Sequence, residues 1–359
     1  MRIVQLTSTS AGGVARHARQ VAGLLADAGE HVLLAGPADV VAESPVPTAV
    51  VDIADRPRPS DLPALRRLRG VLHGADVVHA HGLRAGAAAV LATRGLRGRP
   101  AVVVTLHNLP VGGRKVRAIA AVLERVVARG ADLVLGVSGD LVARAARLGA
   151  QAERALVPAP ARRATAALSD DARDALRAGL GADQGEGLVL TVGRLAPQKG
   201  LGLLCDAAGE LARSGVRLRW VVVGDGPLEE ELRLRVAAEG LPVVVAGRRE
   251  DVPALLAAAD LVVSTSAWEG QPLAVQEALQ AGRAVVATDV GGTREVTADA
   301  AVLVPAAPAP LAAAVARLLA DAAARERLER LALTRAAELP TPQDVLAQLR
   351  RCYAGVRTD

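Results

Sequence analysis

The chain has 359 residues, more than one hydrophobic core usually covers, so two domains of ordinary size are expected. Residues 1–163 carry 22 basic and 12 acidic side chains (net +10), whereas residues 164–359 carry 21 and 26 (net −5). The basic half favours an acidic substrate or a membrane surface, whereas two Trp, one Tyr and no Phe argue against nucleic acid, which needs aromatic side chains to stack on its bases.

Apolar strand-length runs alternate with amphipathic helical stretches along the first half of the chain. This pattern is typical of parallel sheets built from βαβ units. Residues 2–6 lack the apolar stretch of a signal peptide and no run is long enough for a transmembrane helix, so we expect a cytoplasmic protein. The predicted strands cover residues 2–6, 31–35, 76–81, 101–107 and 132–137, and the predicted helices lie near 14–28, 61–73, 114–129 and 139–148.

The same alternation runs a second time in the second half of the chain. Residues 158–163 contain two prolines and no apolar periodicity, which predicts a linker between the halves. In open parallel sheets ligands bind beyond the carboxyl ends of the strands, so residues that directly follow strands are the candidates for function. The predicted strands of this half cover residues 188–192, 218–223, 243–246, 261–264, 284–288 and 301–304.

Glycines and histidines follow the strands of the first half. Gly12 and Gly13 stand between the first strand and a long helix, which lets the backbone approach a ligand closely. His79 and His81 share one face of a predicted strand, but the sequence offers no third clustered ligand, and a zinc site needs three or four. His81 and His107 each end a strand, which favours a role facing the substrate; a core or capping histidine is the alternative.

Two cations lie on the loop after strand 188–192. In Gly193-Arg-Leu-Ala-Pro-Gln-Lys-Gly200, Arg194 supplies a planar fork and Lys199 a compact charge, a combination suited to a diphosphate. A solvated surface loop is the alternative interpretation.

The next two strands of the second half also end in glycine-containing loops. Gly224-Asp-Gly-Pro227 permits a tight turn, with Pro227 expected to start a helix, and lacks the third glycine of a dinucleotide fingerprint. We interpret it as the lip of a nucleotide site. After the following strand, Arg248 or Arg249 is placed to lie over a base, and Arg248 is our choice.

Glu269 and Glu277 flank a predicted helix start. Pro272 fits the first helical turn, residues 273–280 contain no helix breaker, and Gly282 fits the position past the helix end. The start of a helix offers free N–H groups and partial positive charge to a phosphate, whereas carboxylates accept hydrogen bonds from hydroxyls. A nucleotide sugar presents both groups; the alternative is an ordinary helix with solvated acids.

Together these stretches resemble the retaining glycosyltransferases of family 4 over nearly the whole chain. That family has the GT-B fold, an α/β architecture of two Rossmann-like domains with parallel sheets facing across a cleft. The resemblance implies an acceptor-binding N-terminal domain (1–163), a nucleotide-sugar-binding domain (164–340) and a C-terminal helix (341–359) packing back on the N-terminal domain. The matching stretches are Gly12-Gly13-Val14, Asp76-Val-Val-His-Ala-His-Gly82, Gly193 to Gly200, Gly224-Asp-Gly-Pro227, Glu269-Gly-Gln-Pro272 through Glu277-Ala278, and Gly291-Gly292-Thr-Arg-Glu295.

The resemblance also implies roles for individual residues of the second domain. Glu277 would bind the ribose hydroxyls, and Arg194 and Lys199 the diphosphate. Glu269, next to Gly270, would hold the hydroxyls of the donor sugar. The resemblance also implies that the amides near Leu273 and Ala274 contact the same phosphates, whereas Arg248 at the base is predicted only from its position after a strand.

In the first domain the resemblance implies contacts to both substrates. Gly13 would approach the diphosphate and His107 the transferred sugar. His81 and Gly12 would lie near the acceptor. The catalytic group implied is thus Glu269 and His107 together with the two cations of the second domain.

The activity implied is transfer of a hexosyl or related sugar, in the EC 2.4 class, from a UDP- or GDP-type donor with retention of configuration. Cleavage of the sugar–phosphate bond builds charge that the cations can stabilise, and because no Asp-x-Asp occurs, neither a metal nor another cofactor is expected. Closure about the linker would exclude water. The alternatives are a nucleotide-sugar epimerase on the same fold and a non-catalytic nucleotide-sugar-binding protein.

The acceptor is expected on the basic first domain, which favours an anionic or lipid-linked molecule. The predicted helix 61–73 places Arg66, Arg69 and His73 on one face beside a leucine-rich face, a pattern that suits peripheral contact with the inner face of a membrane. An ordinary packing helix with a solvated face is the favoured alternative. Glycolipid, envelope polysaccharide and glycosylated metabolite synthesis all fit, and the sequence does not indicate an oligomeric state.

Overall fold

A computed structural model of the chain describes residues 1–8, 13–54, 58, 61–109, 113–158 and 168–357. The chain divides into two compact units, residues 1–158 with 340–359, and residues 159–339. Apart from Pro158, the predicted linker lies outside the described residues.

The first unit is built on a parallel sheet, as the sequence predicts. Its strands are β1 (Arg2–Thr7), β2 (His31–Gly36), β3 (Thr48–Val50), β4 (Val77–His81), β5 (Ala101–Leu106), β6 (Leu133–Gly136) and β7 (Ala152–Arg154). They pair in the order β3-β2-β1-β4-β5-β6-β7. The helices that cover the sheet are α1 (Gly13–Asp27), α2 (Ala38–Val41), α3 (Asp61–Leu72), α4 (Leu83–Thr93), α5 (Arg114–Gly130) and α6 (Gly139–Arg147).

Four of these elements were not predicted, and two of them show why. β3 is a three-residue edge strand with no buried residue, so it carries no apolar run. α4 is buried over most of its surface and rich in alanine, and such a helix lacks the polar face on which an amphipathic pattern depends. A helix that is buried on all sides therefore shows no helical period in the sequence, and a strand of three residues is too short to show an apolar run.

The second unit holds a second parallel sheet, again as predicted. Its strands are β8 (Gly187–Val192), β9 (Leu218–Val223), β10 (Val243–Gly247), β11 (Leu261–Ser264), β12 (Val285–Thr288) and β13 (Val302–Val304). Their order is β10-β9-β8-β11-β12-β13. The α-helices are α7 (Asp170–Gly179), α8 (Leu201–Arg213), α9 (Glu229–Glu239), α10 (Val252–Ala258), α11 (Leu273–Gln280), α12 (Thr293–Thr297), α13 (Pro308–Ala320) and α14 (Ala322–Ala337), and a short 3₁₀ helix covers Pro197–Lys199.

The last helix, α15 (Pro342–Gly355), returns to the first unit. A capping box of Thr341 and Asp344 starts it, because each side chain accepts a hydrogen bond from the other residue's backbone N–H. Tyr353 is fully buried there. The Gln348 side chain joins the helix to the end of β7, since its Nε2 donates to the Arg154 carbonyl and its Oε1 accepts from the Leu156 amide, both at 2.7 Å.

The order of each sheet reverses once, between β1 and β4 in the first unit and between β8 and β11 in the second. Loops that leave the two strands at such a point diverge to opposite faces of the sheet and open a crevice at its carboxyl edge. The loops after β8 and β11 are those that carry Lys199 and Glu269.

Candidate active site

The loops after β8 and β11 touch at Gly200. This residue has the left-handed conformation (φ +61°, ψ +40°), and a Cβ atom there would lie 2.1 Å from the carbonyl oxygen of Thr265. A glycine is therefore required on steric grounds. The Thr265 hydroxyl in turn donates to the Lys199 carbonyl at 2.8 Å, so backbone and side chain together hold Lys199 against the second loop.

Lys199 and Glu269 form the central contact of the second unit. The Lys199 Nζ lies 2.5 Å from Oε1 of Glu269, whose side chain is almost wholly buried. The hydroxyl of Ser266 donates to the same oxygen at 2.6 Å. A buried carboxylate needs such partners, because an unpaired charge in the interior is costly. Both charged residues were predicted from the sequence, whereas Ser266 has no pattern around it that marks it as part of a site.

The helix start between the two glutamates lies where the sequence predicts it. α11 runs over Leu273–Gln280, and Gly282 follows its end with φ +65°. Pro272 is the residue before the first helical one, so its predicted place inside the first turn is corrected by one position. The free N–H groups of this end belong to the residues proposed for phosphate binding, Leu273 and Ala274, both half-buried.

Gly224 and Gly226 pack closely against the backbone on either side of Arg194, in the loop after β8. A Cβ atom at Gly224 would lie 1.9 Å from the Gly193 carbonyl oxygen, and one at Gly226 2.4 Å from that of Leu195. The Arg194 side chain above them is exposed and makes no hydrogen bond or ion pair with any described residue. α9 begins at Glu229 after the N-cap Leu228, so the expectation that Pro227 starts a helix is wrong; the turn occupies two more residues.

The two arginines after β10 differ in their surroundings. Arg249 forms a two-pronged ion pair with Asp251, at 2.6 and 2.7 Å. This pair lowers the pKa of Asp251. Arg248 is exposed and has no partner among the residues that the structure describes. Of the two arginines, Arg249 is engaged in an ion pair, and the predicted contact of Arg248 with a base stays a prediction.

One pocket of the second unit gathers part of the predicted donor site. Arg194, Lys199 and Glu269 line it together with Pro272 and Ala274. Gly270, Leu273, Glu277 and Arg248 are outside its lining. The pocket therefore joins cations, a carboxylate and a helix start, whereas the residues predicted to contact the ribose and base lie beyond it.

A chain of hydrogen bonds runs through the buried histidines of the first unit. His79 bonds the Thr105 hydroxyl through Nε2 and the Tyr353 hydroxyl through Nδ1, both at 2.7 Å. The Tyr353 hydroxyl accepts from Nε2 of Gln5 at 3.2 Å, and the Gln5 Oε1 lies 2.7 Å from Nε2 of His81. The register of β1 on β4 places Gln5 directly beside His79, and His81 lies two residues further along β4 on the same side of the sheet, so Gln5 can reach His81.

The chain of bonds determines where the protons lie. Because an amide oxygen only accepts, His81 donates from Nε2 and keeps a lone pair on Nδ1. That nitrogen lies 3.3 Å from Nε2 of His107. Burial lowers the pKa of His79 to about 3, and lowers the pKa of His81 and of His107 well below the usual value. These imidazoles are therefore uncharged at neutral pH.

A third imidazole, that of His17, lies beside His81 and His107. Its position there was not predicted from the sequence. His17 on α1 is buried, its ring centre lies 5.1 Å from that of His107 and 5.5 Å from that of His81, and its Nδ1 has no hydrogen-bond partner among the described residues. Burial lowers the pKa of His17 to about 4. The expectation that no third ligand clusters with the strand histidines is therefore wrong, because the His17 ring on α1 lies beside His81 at the end of β4 and His107 just after β5.

The two glycines predicted before α1 fall at the limit of the described residues. Gly13 is the first residue of α1, exposed, with nothing within 4 Å of the place of a Cβ atom. Gly12 lies outside the described residues.

Comparison with known proteins identifies sequence relatives of both units. A model of the family described as "Glycosyl transferase 4-like domain" matches residues 12–160, and one described as "Glycosyl transferases group 1" matches residues 186–321. An α-D-kanosaminyltransferase of Streptomyces kanamyceticus is 32% identical over 299 residues, which span 78% of this chain and 76% of that protein. A glycogen synthase of Rhodopseudomonas palustris is 28% identical over 351 residues, spanning 79% and 71%.

The fold has relatives among solved structures. Anabaena HepE, in complex with UDP-glucose, matches with a TM-score of 0.81 at 23% identity over 99% of this chain and 100% of that one. The described helices include none that is both long and apolar enough to cross a membrane. The sequence relatives of the chain are named glycosyltransferases, so the protein is an enzyme of the EC 2.4 class. Its fold is the predicted GT-B fold. On this evidence the chain belongs to glycosyltransferase family 4.

Proposed function

We propose that this glycosyltransferase moves a sugar from a nucleotide-diphosphate sugar to an acceptor, with retention of configuration and without a metal or other cofactor. The observation that carries the proposal is the pocket in which Lys199, Arg194 and Glu269 meet the start of α11. Cations and helix N–H groups suit a diphosphate, and a carboxylate suits the hydroxyls of the attached sugar. The two parts of such a donor are adjacent, as are Lys199 and Glu269.

The roles proposed for the donor site follow the order of groups along the molecule. Glu269, beside Gly270, accepts from the sugar hydroxyls; Lys199 and Arg194 hold the diphosphate. Glu277 takes the ribose. The remaining donor contacts proposed are Gly13 and the amides of Leu273 and Ala274 at the phosphates, His107 at the sugar, and Arg248 at the base; for the acceptor, they are Gly12 and His81.

In the proposed reaction the acceptor oxygen attacks the anomeric carbon on the face that the phosphate leaves. The bond from carbon to phosphate oxygen breaks, the new glycosidic bond forms, and the departing phosphate takes the acceptor's proton. Lys199 and Arg194 stabilise the negative charge that develops on that phosphate, which is the step where fixed charges accelerate reaction most. Because they supply this charge, the proposal needs no divalent cation at the diphosphate.

The donor class is proposed to be UDP or GDP linked, since HepE binds UDP and UDP-glucose at its own site. A thermal-shift screen against UDP, GDP, ADP and their sugars tests this. A diphosphate of one base should raise the melting temperature of the chain but not of Lys199→Ala, and EDTA should leave that shift unchanged. Loss of the shift in EDTA would contradict metal independence.

Dependence on acceptor separates the alternatives. Nucleotide diphosphate release that requires acceptor supports a transferase; interconversion of the donor sugar without acceptor would indicate an epimerase, and binding without turnover a sensor. The anomeric configuration of the product, read by proton NMR coupling, tests retention. An inverted product would overturn the proposed mechanism.

For the acceptor we propose an anionic or lipid-linked molecule, in glycolipid, envelope polysaccharide or glycosylated metabolite synthesis, reached by a cytoplasmic enzyme at the inner face of the membrane. The surface that supports this is α5 and not α3. In α3, Leu68 and Leu72 are buried, and the Arg69 guanidinium donates to the carbonyls of Ala92 and Arg94 at the end of α4, so α3 is a packing helix.

α5 carries the face that suits an anionic lipid surface. Val116, Ile119 and Val122 are 43%, 44% and 59% exposed, beside the exposed Arg114 and Lys115. Apolar side chains flanked by cations are typical of helices that lie in the lipid interface. Val116→Asp with Ile119→Asp should abolish flotation with phosphatidylglycerol vesicles, whereas Leu234→Asp, at an exposed leucine of α9, should not. Absence of flotation by the unmodified chain would overturn this part of the proposal.

A further inference from the structure

We infer that His17, His81 and His107 form a binding site for one divalent transition-metal cation of the Zn²⁺ or Co²⁺ class. One ring nitrogen of each lies within 4.8 Å of the other two. Imidazole is the ligand that such cations share, and three of them with an open fourth position make a complete set of protein ligands. This site lies in the first unit and is separate from the cations proposed for the diphosphate.

The spacing of one pair of nitrogens fits tetrahedral coordination. Zinc–nitrogen bonds of about 2.0–2.1 Å at the tetrahedral angle separate two ligand nitrogens by about 3.4 Å. The Nδ1 of His81 and the Nε2 of His107 are 3.3 Å apart. That pair already has the separation of two tetrahedral ligands, and the third nitrogen, on His17, lies within 4.8 Å of both.

The surroundings of the histidines also favour a cation. His81 donates its single ring proton, on Nε2, to Gln5 Oε1 at 2.7 Å, and such a hydrogen bond to a carbonyl orients metal-binding histidines and leaves Nδ1 as the ligand. His17 Nδ1 is buried and has no hydrogen-bond partner in the part of the chain that the structure describes, a cost that a bound cation removes. His107 binds through Nε2 once its proton occupies Nδ1 of the same ring, so no net proton is released.

A bound cation would have a consequence for catalysis, which rests on the proposed function. It would occupy the nitrogens of His81 and His107 that we place near the substrates. Zn²⁺ should therefore inhibit transfer and EDTA restore it, the reverse of the behaviour of an enzyme that needs a metal on the diphosphate.

The binding test uses the full chain without substrates. Co²⁺ titration should give one bound ion per chain with the strong visible absorption of a four-coordinate site, reversed by Zn²⁺. His17→Asn and His17→Leu should each weaken Co²⁺ binding at least about tenfold. The matched control is His73→Asn, at an exposed histidine after α3, which should bind Co²⁺ as the unmodified chain does.

Two results would overturn the site: no stoichiometric Co²⁺ binding, or equal affinity in the His17 variants and the control. X-ray absorption of the zinc-loaded unmodified chain gives a readout that needs no variant, and fewer than three histidine nitrogens would also overturn it. Binding without inhibition would support the site and contradict instead the placement of His81 and His107 near the substrates.

Discussion

Glu269 is a nearly buried carboxylate that needs a partner of opposite charge. Its side chain is 7% exposed and ion-paired to a lysine that is 26% exposed, so the pair sits at the boundary between interior and solvent. A buried pair contributes little net stability, because desolvation offsets the attraction. Its position in the pocket therefore points to a role in binding and chemistry.

Removal of either partner should abolish activity and preserve the fold. We expect Glu269→Ala and Lys199→Ala each to lower kcat/KM by about 100-fold or more, the effect of removing one group that stabilises developing charge. Steady-state transfer measures this, with circular dichroism as the check on folding. Arg233→Ala, which removes an exposed ion pair with Glu229 on α9, is the control and should change activity less than about twofold. Near-normal activity in either site variant would contradict the assignment.

The buried histidines make stability depend on pH. Burial lowers the pKa of His17 from 6.5 to about 4. The folded pKa lies below the unfolded one, so between pH 6.5 and about 4 the unfolded chain takes up a proton that the folded chain does not. The stabilisation is therefore complete above pH 6.5 and is lost as the pH falls towards 4.

Urea unfolding in EDTA at several pH values measures this effect. The free energy of unfolding should fall between about pH 7 and about pH 4, with His17 contributing up to about 3 kcal/mol, and His17→Asn should reduce the fall. The exposed His73 serves again as control, since His73→Asn should leave the slope unchanged. Equal slopes in all three proteins would show that His17 does not resist protonation in the folded state.

The single residues that could be predicted from the sequence are those that lie at the end of a strand or in the loop after it. Lys199, Glu269 and His107 follow strands, and His81 ends one, so position along the chain made them candidates. Ser266 and His17 lie within stretches that read as ordinary loop and helix. Their roles come from partners across the fold, and no local pattern marks them.

At the scale of elements, the junction of the loops after β8 and β11 depends on one glycine. Gly200 and Gly240 both adopt the left-handed conformation, with φ of +61° and +60°. A Cβ atom at Gly200 would meet the Thr265 carbonyl, whereas nothing lies within 4 Å of one at Gly240. The two sites differ in available space and share the backbone strain.

Alanine at the two glycines should separate these effects. Gly240→Ala should cost about 1–2 kcal/mol, the strain of a left-handed residue with a Cβ. Gly200→Ala should cost at least about 2 kcal/mol more, as is usual for overpacking, and should also weaken nucleotide binding, because it displaces Lys199. Urea unfolding and nucleotide thermal shift measure both. Equal losses at the two positions would show that the loops can part without cost.

At the scale of the whole molecule, α15 ties the end of the chain to the interior of the first unit. Tyr353 is 348 residues from Gln5, whose side chain it bonds, and also bonds His79 at 2.7 Å. Burial raises the pKa of Tyr353, so its hydroxyl keeps its proton and completes the network.

Tyr353→Phe should leave two buried polar groups without a partner. We expect a loss of about 1–3 kcal/mol in the stability of the first unit, the cost of unsatisfied buried donors and acceptors. Denaturation followed by hydrogen exchange in β1 and β4 measures it, and the nucleotide-induced shift of the second unit should persist. Arg351→Ala on the same helix removes a surface ion pair at 3.5 Å and should cost less than about 0.5 kcal/mol. A stability of Tyr353→Phe equal to that control would contradict the network.

The sequence by itself determined the two parallel sheets, the strands that precede the site and the helix that starts between Glu269 and Glu277. These are local features, since period, breakers and end residues lie within one element. Only the tertiary structure decided that Lys199 meets Glu269, that Ser266 joins them and that His17 completes a cluster with His81 and His107. Such meetings depend on which strands are neighbours and on which helix crosses their ends, and packing sets both across the length of the chain.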